Sequence, residues 1–197
     1  MTHTTDTRAT PAMMADDHRM VTRMAGGDQA ALRALMARHQ ARVFRFITRM
    51  VRNDAVAEEL TNETFMDAWR NAASFEGRAN ATTWLLAIAH NKAVSTLRKR
   101  REESWNDDAA DSLADSGDDP EVAVQKTDKG AVMRRCMGNL SSEHREIIDL
   151  VYYHELSITE AAEVTGIPEA TVKSRMFYAR KKLSELLKAN GIDRGWP

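Results

Sequence analysis

This chain of 197 residues has a single cysteine, no metal-binding histidine motif and no long apolar run. Cys136 is the single cysteine, which excludes a disulfide framework and the paired spacing of a zinc site. The six histidines show no H-x-x-H or H-E-x-x-H pattern, so we expect no metal site and no cofactor. No apolar stretch approaches a membrane span and no secretory start is visible, so we expect a cytoplasmic protein. We expect the Cys136 thiol to be partly buried and inert, with a redox switch as the alternative.

Helical periodicity dominates what is present. Aromatic residues make up only 6% of the chain but hydrophobic residues 43%, enough for one large or two small aliphatic cores. The spacing of apolar residues predicts an all-α fold of two small helical domains joined by an acidic flexible linker, the second containing a helix-turn-helix. The predicted segments are an N-terminal tail (1–27), a first domain (28–101), the linker (102–126), a second domain (127–190) and a C-terminal tail (191–197).

The net charge of −1 conceals strong local asymmetry. Residues 28–101 contain 13 basic and 7 acidic side chains, a net charge of +6, whereas residues 102–121 contain 9 acidic side chains and no basic one. Such a basic block beside an acidic segment indicates a nucleic-acid-binding surface, which the net charge of the whole chain conceals. The acidic segment is either a nucleic-acid mimic or a solubilising spacer.

Residues 156–183, LSITEAAEVTGIPEATVKSRMFYARKKL, have the pattern of a helix-turn-helix. Ser157 and Glu160 are spaced as a capping box, which predicts a helix from about Ile158. Gly166 ends that helix, and Pro168 suits the first turn of the next one. The residues expected to face inward on the second helix are Val172, Met176, Ala179 and Leu183.

The opposite face of that second helix is cationic and rich in hydrogen-bonding groups. Arginine and lysine can read guanine edges or hold phosphates, and serine and threonine do so more weakly. We therefore expect duplex DNA as a partner, and the alternative is a helical hairpin with a solvated charged face. The face comprises Thr171, Lys173, Ser174, Arg175, Tyr178, Arg180 and Lys181.

Two further blocks, AEELTNETFMDAWRNAASF (57–75) and TTWLLAIAHNKAVSTLRKRR (82–101), precede the linker. With the helix-turn-helix they resemble the bacterial RNA polymerase sigma factors, specifically the extracytoplasmic-function (ECF, group IV) family of the sigma-70 superfamily, over roughly residues 28–187. The resemblance implies a transcription initiation factor and not an enzyme. Its implied partners are the clamp and flap regions of core RNA polymerase, promoter DNA with −35 and −10 elements, and an anti-sigma factor.

Three surfaces follow from this resemblance, residue by residue. Asn62 stands where the family usually has Gln, and Tyr178 where relatives often have Arg. The implied polymerase contact comprises Glu59, Asn62, Glu63, Phe65 and Trp69. The implied −10 surface comprises Arg78, Asn80, Thr82, Trp84, Asn91, Arg98 and Lys99. The implied −35 surface comprises Thr171, Lys173, Ser174, Arg175, Phe177, Tyr178, Arg180 and Lys181.

Each surface has a structural alternative. The acidic helix face could simply be solvated. We expect Trp84 to pack in the core, with base stacking as the alternative. The basic run from Arg98 to Arg101 could hold the DNA backbone or serve as the cationic end of a helix. At the level of the whole protein, the rivals are a stand-alone helix-turn-helix repressor or activator and an enzyme with a DNA-binding tail.

Overall fold

The computed structural model describes residues 11–106 and 129–192. All regular elements in this part of the chain are helical, which confirms the all-α prediction. The first domain contains α1 (Pro11–Ala25), α2 (Gln29–Val51), α3 (Asp54–Asn71), a 3-10 turn (Ala72–Ser74) and α4 (Ala81–Asn106). The second contains α5 (Lys129–Gly138), α6 (Ser142–Ile148), a π-helical turn (Asp149–Tyr153), α7 (Ile158–Thr165) and α8 (Glu169–Ala189). Within these residues no helix is both long and apolar enough to cross a membrane.

Helix α1 corrects the prediction that residues 1–27 form a tail. From Pro11 to Ala25 the chain is helical, and Met20, Val21 and Met24 are buried in the core of the first domain. Residues 1–10 lie outside the described part of the chain. The first domain therefore begins well before residue 28, the boundary expected from the sequence.

A buried polar network fastens α1 to α2. His39 Nε2 lies 2.9 Å from Asp17 Oδ2, and Arg38 pairs with both Asp17 and Asp16. Burial opposes ionisation of Asp17, but the hydrogen bonds from His39 and Arg38 outweigh it and lower the pKa of that carboxyl. Breaking such a network by removing one partner is destabilising, because it leaves the other groups buried and unpaired.

The next two helices begin at side-chain caps. Asp28 accepts hydrogen bonds from the backbone N–H groups of Ala30 and Ala31, and Asn53 accepts one from Val56 at 3.0 Å. Such caps satisfy donors that have no partner within the helix and contribute about 1 kcal/mol each. The packed helices enclose a core whose largest buried members include Leu35, Phe46, Ile47, Phe65, Leu85 and Leu86.

Helix α4 continues past the boundary predicted from the sequence. It ends at Asn106 rather than near Arg101, so its last five residues belong to the segment predicted as linker. The basic run Arg98–Arg101 is therefore inside the helix, and its interpretation as the cationic end of that helix is wrong. Residues 107–126 of the predicted linker lie outside the described residues.

The second domain is organised around α8. Ser141 caps α6 by accepting a hydrogen bond from the backbone N–H of His144 at 3.4 Å. The π-helical turn that follows closes with a hydrogen bond from His154 N to Asp149 O at 3.0 Å. The core residues buried between these elements and α8 include Ile147, Ile148, Leu150, Val172, Leu183 and Leu187.

Candidate nucleic-acid and polymerase interfaces

The helix-turn-helix has the local geometry predicted from its sequence. Glu160 N donates to Ser157 Oγ at 3.2 Å and Ser157 N donates to Glu160 Oε2 at 2.9 Å, which completes the capping box. Gly166 follows α7 with φ of 68°, a conformation that a side chain would strain. Pro168 lies one position before α8, as its cap residue, rather than in the first helical turn.

Helix α8 separates an inner and an outer face as expected. Val172, Met176, Ala179 and Leu183 are all buried. On the outer face Phe177 is 64% exposed and Tyr178 is 58% exposed, with their rings in an edge-to-face arrangement at 5.4 Å. The exposed predicted −35 residues are Lys173, Ser174, Phe177, Tyr178, Arg180 and Lys181, and Thr171 and Arg175 are half-buried.

Glu169, which the sequence analysis did not include among site residues, organises the start of this face. Its carboxylate accepts a hydrogen bond from Thr159 Oγ1 of α7 at 2.7 Å and pairs with Lys173 Nζ at 3.4 Å. These two contacts, Thr159 first, lower the pKa of Glu169. Glu169 therefore ties the two helices together and orients Lys173. The signal for this role was the four-residue Glu–Lys spacing on a helix.

Helix α3 presents the acidic surface expected to meet the polymerase. Glu59, Asn62 and Glu63 are exposed on one face. Met66 lies on the same face and is 48% exposed, an apolar contact that the search for charged residues missed. An exposed apolar side chain surrounded by carboxylates and an amide is suited to a partner surface that combines cationic and apolar groups.

Lys92 of α4 fixes the position of part of this surface. Its Nζ lies 3.0 Å from Glu63 Oε2 and 2.7 Å from Asp67 Oδ2. Burial opposes ionisation of Lys92, but the hydrogen bonds to Asp67 and Glu63 outweigh it and raise the pKa of the ammonium group. The charge of Glu63 is thus partly matched within the protein, which leaves Glu59 as the better probe of the surface.

Two aromatic residues assigned to the polymerase contact lie differently. Phe65 is 1% exposed in the core, so the expectation that its side chain contacts the polymerase is corrected to a structural role. Its i, i+4 neighbour Trp69 is half-buried and packs against the same core. The helical spacing of both residues with Leu60 and Ala68 was the signal for this inward face.

Aromatic side chains pack against the loop between α3 and α4, residues 75–80. Phe75 lies 4.8 Å from Trp84 and 5.1 Å from His18 of α1, between ring centroids. Gly77 has φ of 70°, and a Cβ there would meet the His18 ring at 3.1 Å. Trp84 is therefore partly buried against the core, which agrees with the packing interpretation.

Both the amide oxygen and the amide nitrogen of Asn80 form hydrogen bonds within the protein. Its Oδ1 accepts hydrogen bonds from Thr83 N at 2.7 Å and Thr83 Oγ1 at 3.0 Å, which caps the start of α4. Its Nδ2 donates to Glu160 of α7, in the other domain. Thr82 is buried as well. In this arrangement neither Asn80 nor Thr82 is available to bind a base.

Four of the predicted −10 residues, Arg78, Asn91, Arg98 and Lys99, are exposed. Arg78 is exposed and pairs with Glu76 at 2.6 Å, and Asn91 is exposed on α4. Arg98 and Lys99 lie two turns further along the same helix, both exposed. The basic surface along α4 thus remains open while the loop at its start is covered.

Cys136 is fully buried in the second domain, whereas the sequence analysis expected partial burial. Burial raises the pKa of this thiol against the opposing effect of Arg135, and Asn190 Nδ2 lies 3.8 Å from its sulfur. A raised pKa lowers the thiolate fraction, and thiolate is the reactive form.

Both domains match known families in the order that the motifs indicated. Residues 35–103 match Sigma-70 region 2, and residues 131–183 match Sigma-70, region 4. The ECF RNA polymerase sigma factor SigK of Mycobacterium bovis (strain BCG / Pasteur 1173P2) is 30% identical over 187 residues, covering 90% of this chain and 96% of the relative. SigK of Mycobacterium sp. (strain KMS) is 31% identical over 182 residues, covering 89% and 93%.

Solved structures agree with these matches. The sigma factor RpoE of Bartonella quintana, solved with the anti-sigma factor NepR, superposes with a TM-score of 0.66 at 29% identity, covering 82% of this chain and 98% of that one. CnrH, solved with the cytosolic domain of CnrY, gives a TM-score of 0.64 at 25% identity, covering 88% and 98%. The chain belongs to the ECF RNA polymerase sigma factor family, and its class is that of transcription initiation factors.

Proposed function

We propose that this protein binds core RNA polymerase, directs it to promoters with matching −35 and −10 elements and helps to open the start site. It does so without catalytic chemistry of its own, and it acts in the cytoplasm, where bacterial transcription takes place. The observation that carries the proposal is the presence, on one chain, of an exposed cationic recognition helix and a separate acidic surface for a protein partner.

The −35 element is read by α8 in the major groove. Lys173 and Arg180 extend from the exposed face as hydrogen-bond donors for base edges or phosphates. Phe177 and Tyr178 add apolar surface beside them, suited to thymine methyl groups. Because Tyr178 stands where relatives often have Arg, the preferred −35 sequence differs from one read by an arginine at this position.

The −10 element is engaged by the start and the exposed face of α4. Opening a duplex costs stacking energy, which a protein offsets by capturing an extruded base among polar groups. Asn80 and Thr82 supply such groups once they are uncovered, and Arg98 and Lys99 hold the backbone of the strand. Trp84 supports the loop from the core rather than stacking on a base.

Core polymerase is contacted through Glu59, Asn62 and Glu63 on α3, with the exposed side chain of Met66 on the same face. Control by an anti-sigma factor is supported by the similar sigma factor RpoE, which was solved in complex with the anti-sigma factor NepR. The C-terminal domain would additionally reach the flap region of the polymerase.

In vitro transcription with purified core polymerase tests the function. A pool of genomic promoter fragments is transcribed with and without the protein, and duplex binding by the protein alone is measured in parallel. Discrete transcripts that need the protein are expected, and their upstream sequences define both elements. No transcripts together with tight duplex binding by the protein alone would overturn the proposal in favour of a stand-alone repressor or activator.

A further inference from the structure

A carboxylate stands at the start of the recognition helix, among the cationic residues proposed to bind the −35 element. Glu169 is the acidic residue in the first turn of α8, and its side chain is 45% exposed. In helix-turn-helix proteins the N-terminal residues of the recognition helix contact base edges, whereas the preceding helix crosses the DNA backbone. Glu169 therefore lies at a position along α8 from which bases are read.

Glu169 is held by one contact from each helix of the helix-turn-helix. Thr159 Oγ1 of α7 donates a hydrogen bond to Oε1 at 2.7 Å, and Lys173 Nζ of α8 lies 3.4 Å from Oε2. The hydrogen bond from Thr159, followed by that from Lys173, lowers the pKa of Glu169, so the group is an ionised acceptor at neutral pH. Because an ionised carboxylate accepts about four hydrogen bonds, these two contacts leave it able to accept another.

Few groups on a DNA duplex attract a carboxylate. Phosphates are anionic, and the major-groove edges of guanine and thymine present acceptor atoms. The donors in the major groove are the amino groups of adenine and cytosine. Adenine N6 lies beside the acceptor N7, which repels a carboxylate, whereas cytosine N4 has no acceptor beside it on that edge. A carboxylate at this position therefore selects cytosine.

Lys173 offsets the charge of Glu169 against the DNA. Its ammonium group has three donors, so one faces Glu169 while the others remain for a guanine edge or a phosphate. The Lys173 side chain is 65% exposed, and the four-residue spacing puts it beside Glu169 on the helix surface. The pair thus presents an acceptor and a donor side by side to the groove.

We propose that Glu169 is a specificity-determining residue that accepts a hydrogen bond from the N4 amino group of a cytosine in the −35 element, and that Thr159 positions it. The inference rests on the proposed function, because it takes α8 as the helix that reads the −35 element. It adds an acceptor to a surface that otherwise reads DNA through donors and apolar contacts.

Glu169→Gln tests the proposal through a change of base. A glutamine amide supplies a donor and an acceptor together, the combination that pairs with N7 and N6 of adenine. Core polymerase with each form of the protein transcribes a promoter library in which the −35 element is randomised. At one position we expect cytosine to exceed adenine at least about fivefold with the unaltered protein, a factor typical of a good base contact. Glu169→Gln should reverse that preference and leave the other positions unchanged.

Two further variants separate base reading from a structural role. Glu185→Gln makes the same chemical change at an exposed position further along α8, and the base preferences should stay unchanged. Thr159→Val removes the hydroxyl that holds Glu169 and keeps the size of the side chain. It should weaken the cytosine preference without creating one for adenine. If Glu169→Gln only lowered transcription from all promoters by the same factor, its role would be structural and the proposal would be wrong.

The same library of duplexes, selected by binding to the protein alone, gives a measurement that needs no polymerase. Circular dichroism establishes that each variant is folded. Identical base preferences in the unaltered, Glu169→Gln and Glu185→Gln proteins would overturn the reading by Glu169, even if promoter-specific transcription continues. A change from cytosine to adenine in the selected duplexes, together with no transcription by any form of the protein, would retain that reading and remove the proposed function.

Discussion

The two surfaces proposed to bind DNA are presented in opposite ways. The recognition helix α8 is open, with Lys173, Phe177 and Tyr178 in solvent. The start of α4 is closed, with Thr82 buried and Asn80 hydrogen-bonded to the other domain. The difference matches the roles proposed for the two surfaces: a preformed helix can read duplex DNA, whereas capture of an extruded base needs free polar groups.

The largest loss of transcription is expected when the proposed polymerase contact is removed. If the open recognition helix were sufficient for function, Glu59→Lys on α3 would have no effect. We expect it to reduce protein-dependent transcription by about a hundredfold, because like charges brought together across an interface cost several kcal/mol. Glu185→Lys makes the same charge change on the exposed surface of α8. Equal losses in both variants, measured by in vitro transcription, would show that α3 is not the contact.

A second test addresses the open surface alone. Lys173→Ala should weaken promoter-specific transcription roughly tenfold, since one good base or phosphate contact contributes about 1–3 kcal/mol. Binding of the variant to core polymerase, measured by fluorescence anisotropy, should stay unchanged. Lys188→Ala removes another exposed positive charge, from the last turn of the same helix. A similar loss at Lys188 would point to general charge attraction rather than recognition by the helix start.

The support beneath the closed surface can be tested through two glycines. Gly77 and Gly27 both have positive φ, but only at Gly77 would a Cβ meet another side chain, the His18 ring. Gly77→Ala and Gly27→Ala should therefore share a backbone penalty of about 1–2 kcal/mol. Gly77→Ala alone should also displace the loop and reduce promoter opening, measured by permanganate reactivity of unpaired thymines. Equal opening by both variants would mean that His18 does not position the loop.

The smallest expected effect concerns the attachment of α1. The pKa of Asp17 is lowered in the folded protein, so its contribution to stability is present at neutral pH and is lost as pH falls below about 4, the ordinary range of an aspartic acid. Asp17→Asn should lower the free energy of unfolding by about 1 kcal/mol near pH 7 and flatten its dependence on pH below 4. Urea unfolding at several pH values measures both. Asp54→Asn is the control. If the free energy of unfolding depended on pH below 4 in the same way in both variants, the role of Asp17 would be contradicted.

The parts of the structure that sequence predicted are those specified by neighbouring residues. Ser157, Glu160 and Gly166 define α7 within one short window, because caps and turns depend on contacts three or four residues apart. The same holds for the inner face of α8. These local rules also predicted α8 itself, whose outer face is exposed in the structure.

Sequence failed where distant residues decide the outcome. The sequence of α1 is that of a polar segment, and its attachment depends on the contact of Asp17 with His39, which is 22 positions away in the chain. Phe65 was placed with exposed neighbours by family resemblance, but packing of α3 directs it into the core. The covering of Asn80 by Glu160 could not be foreseen, since nothing near either residue indicates a partner 80 positions away.

The burial of Cys136 has a practical consequence for chemical labelling. The protein has one native thiol, and burial with a raised pKa keeps that thiol slow to react while the second domain is folded. A cysteine introduced at an exposed site outside the −35 surface, such as Lys188, will accept a fluorophore selectively. Two such sites, one in each domain, allow the distance between the domains to be followed in single molecules during initiation.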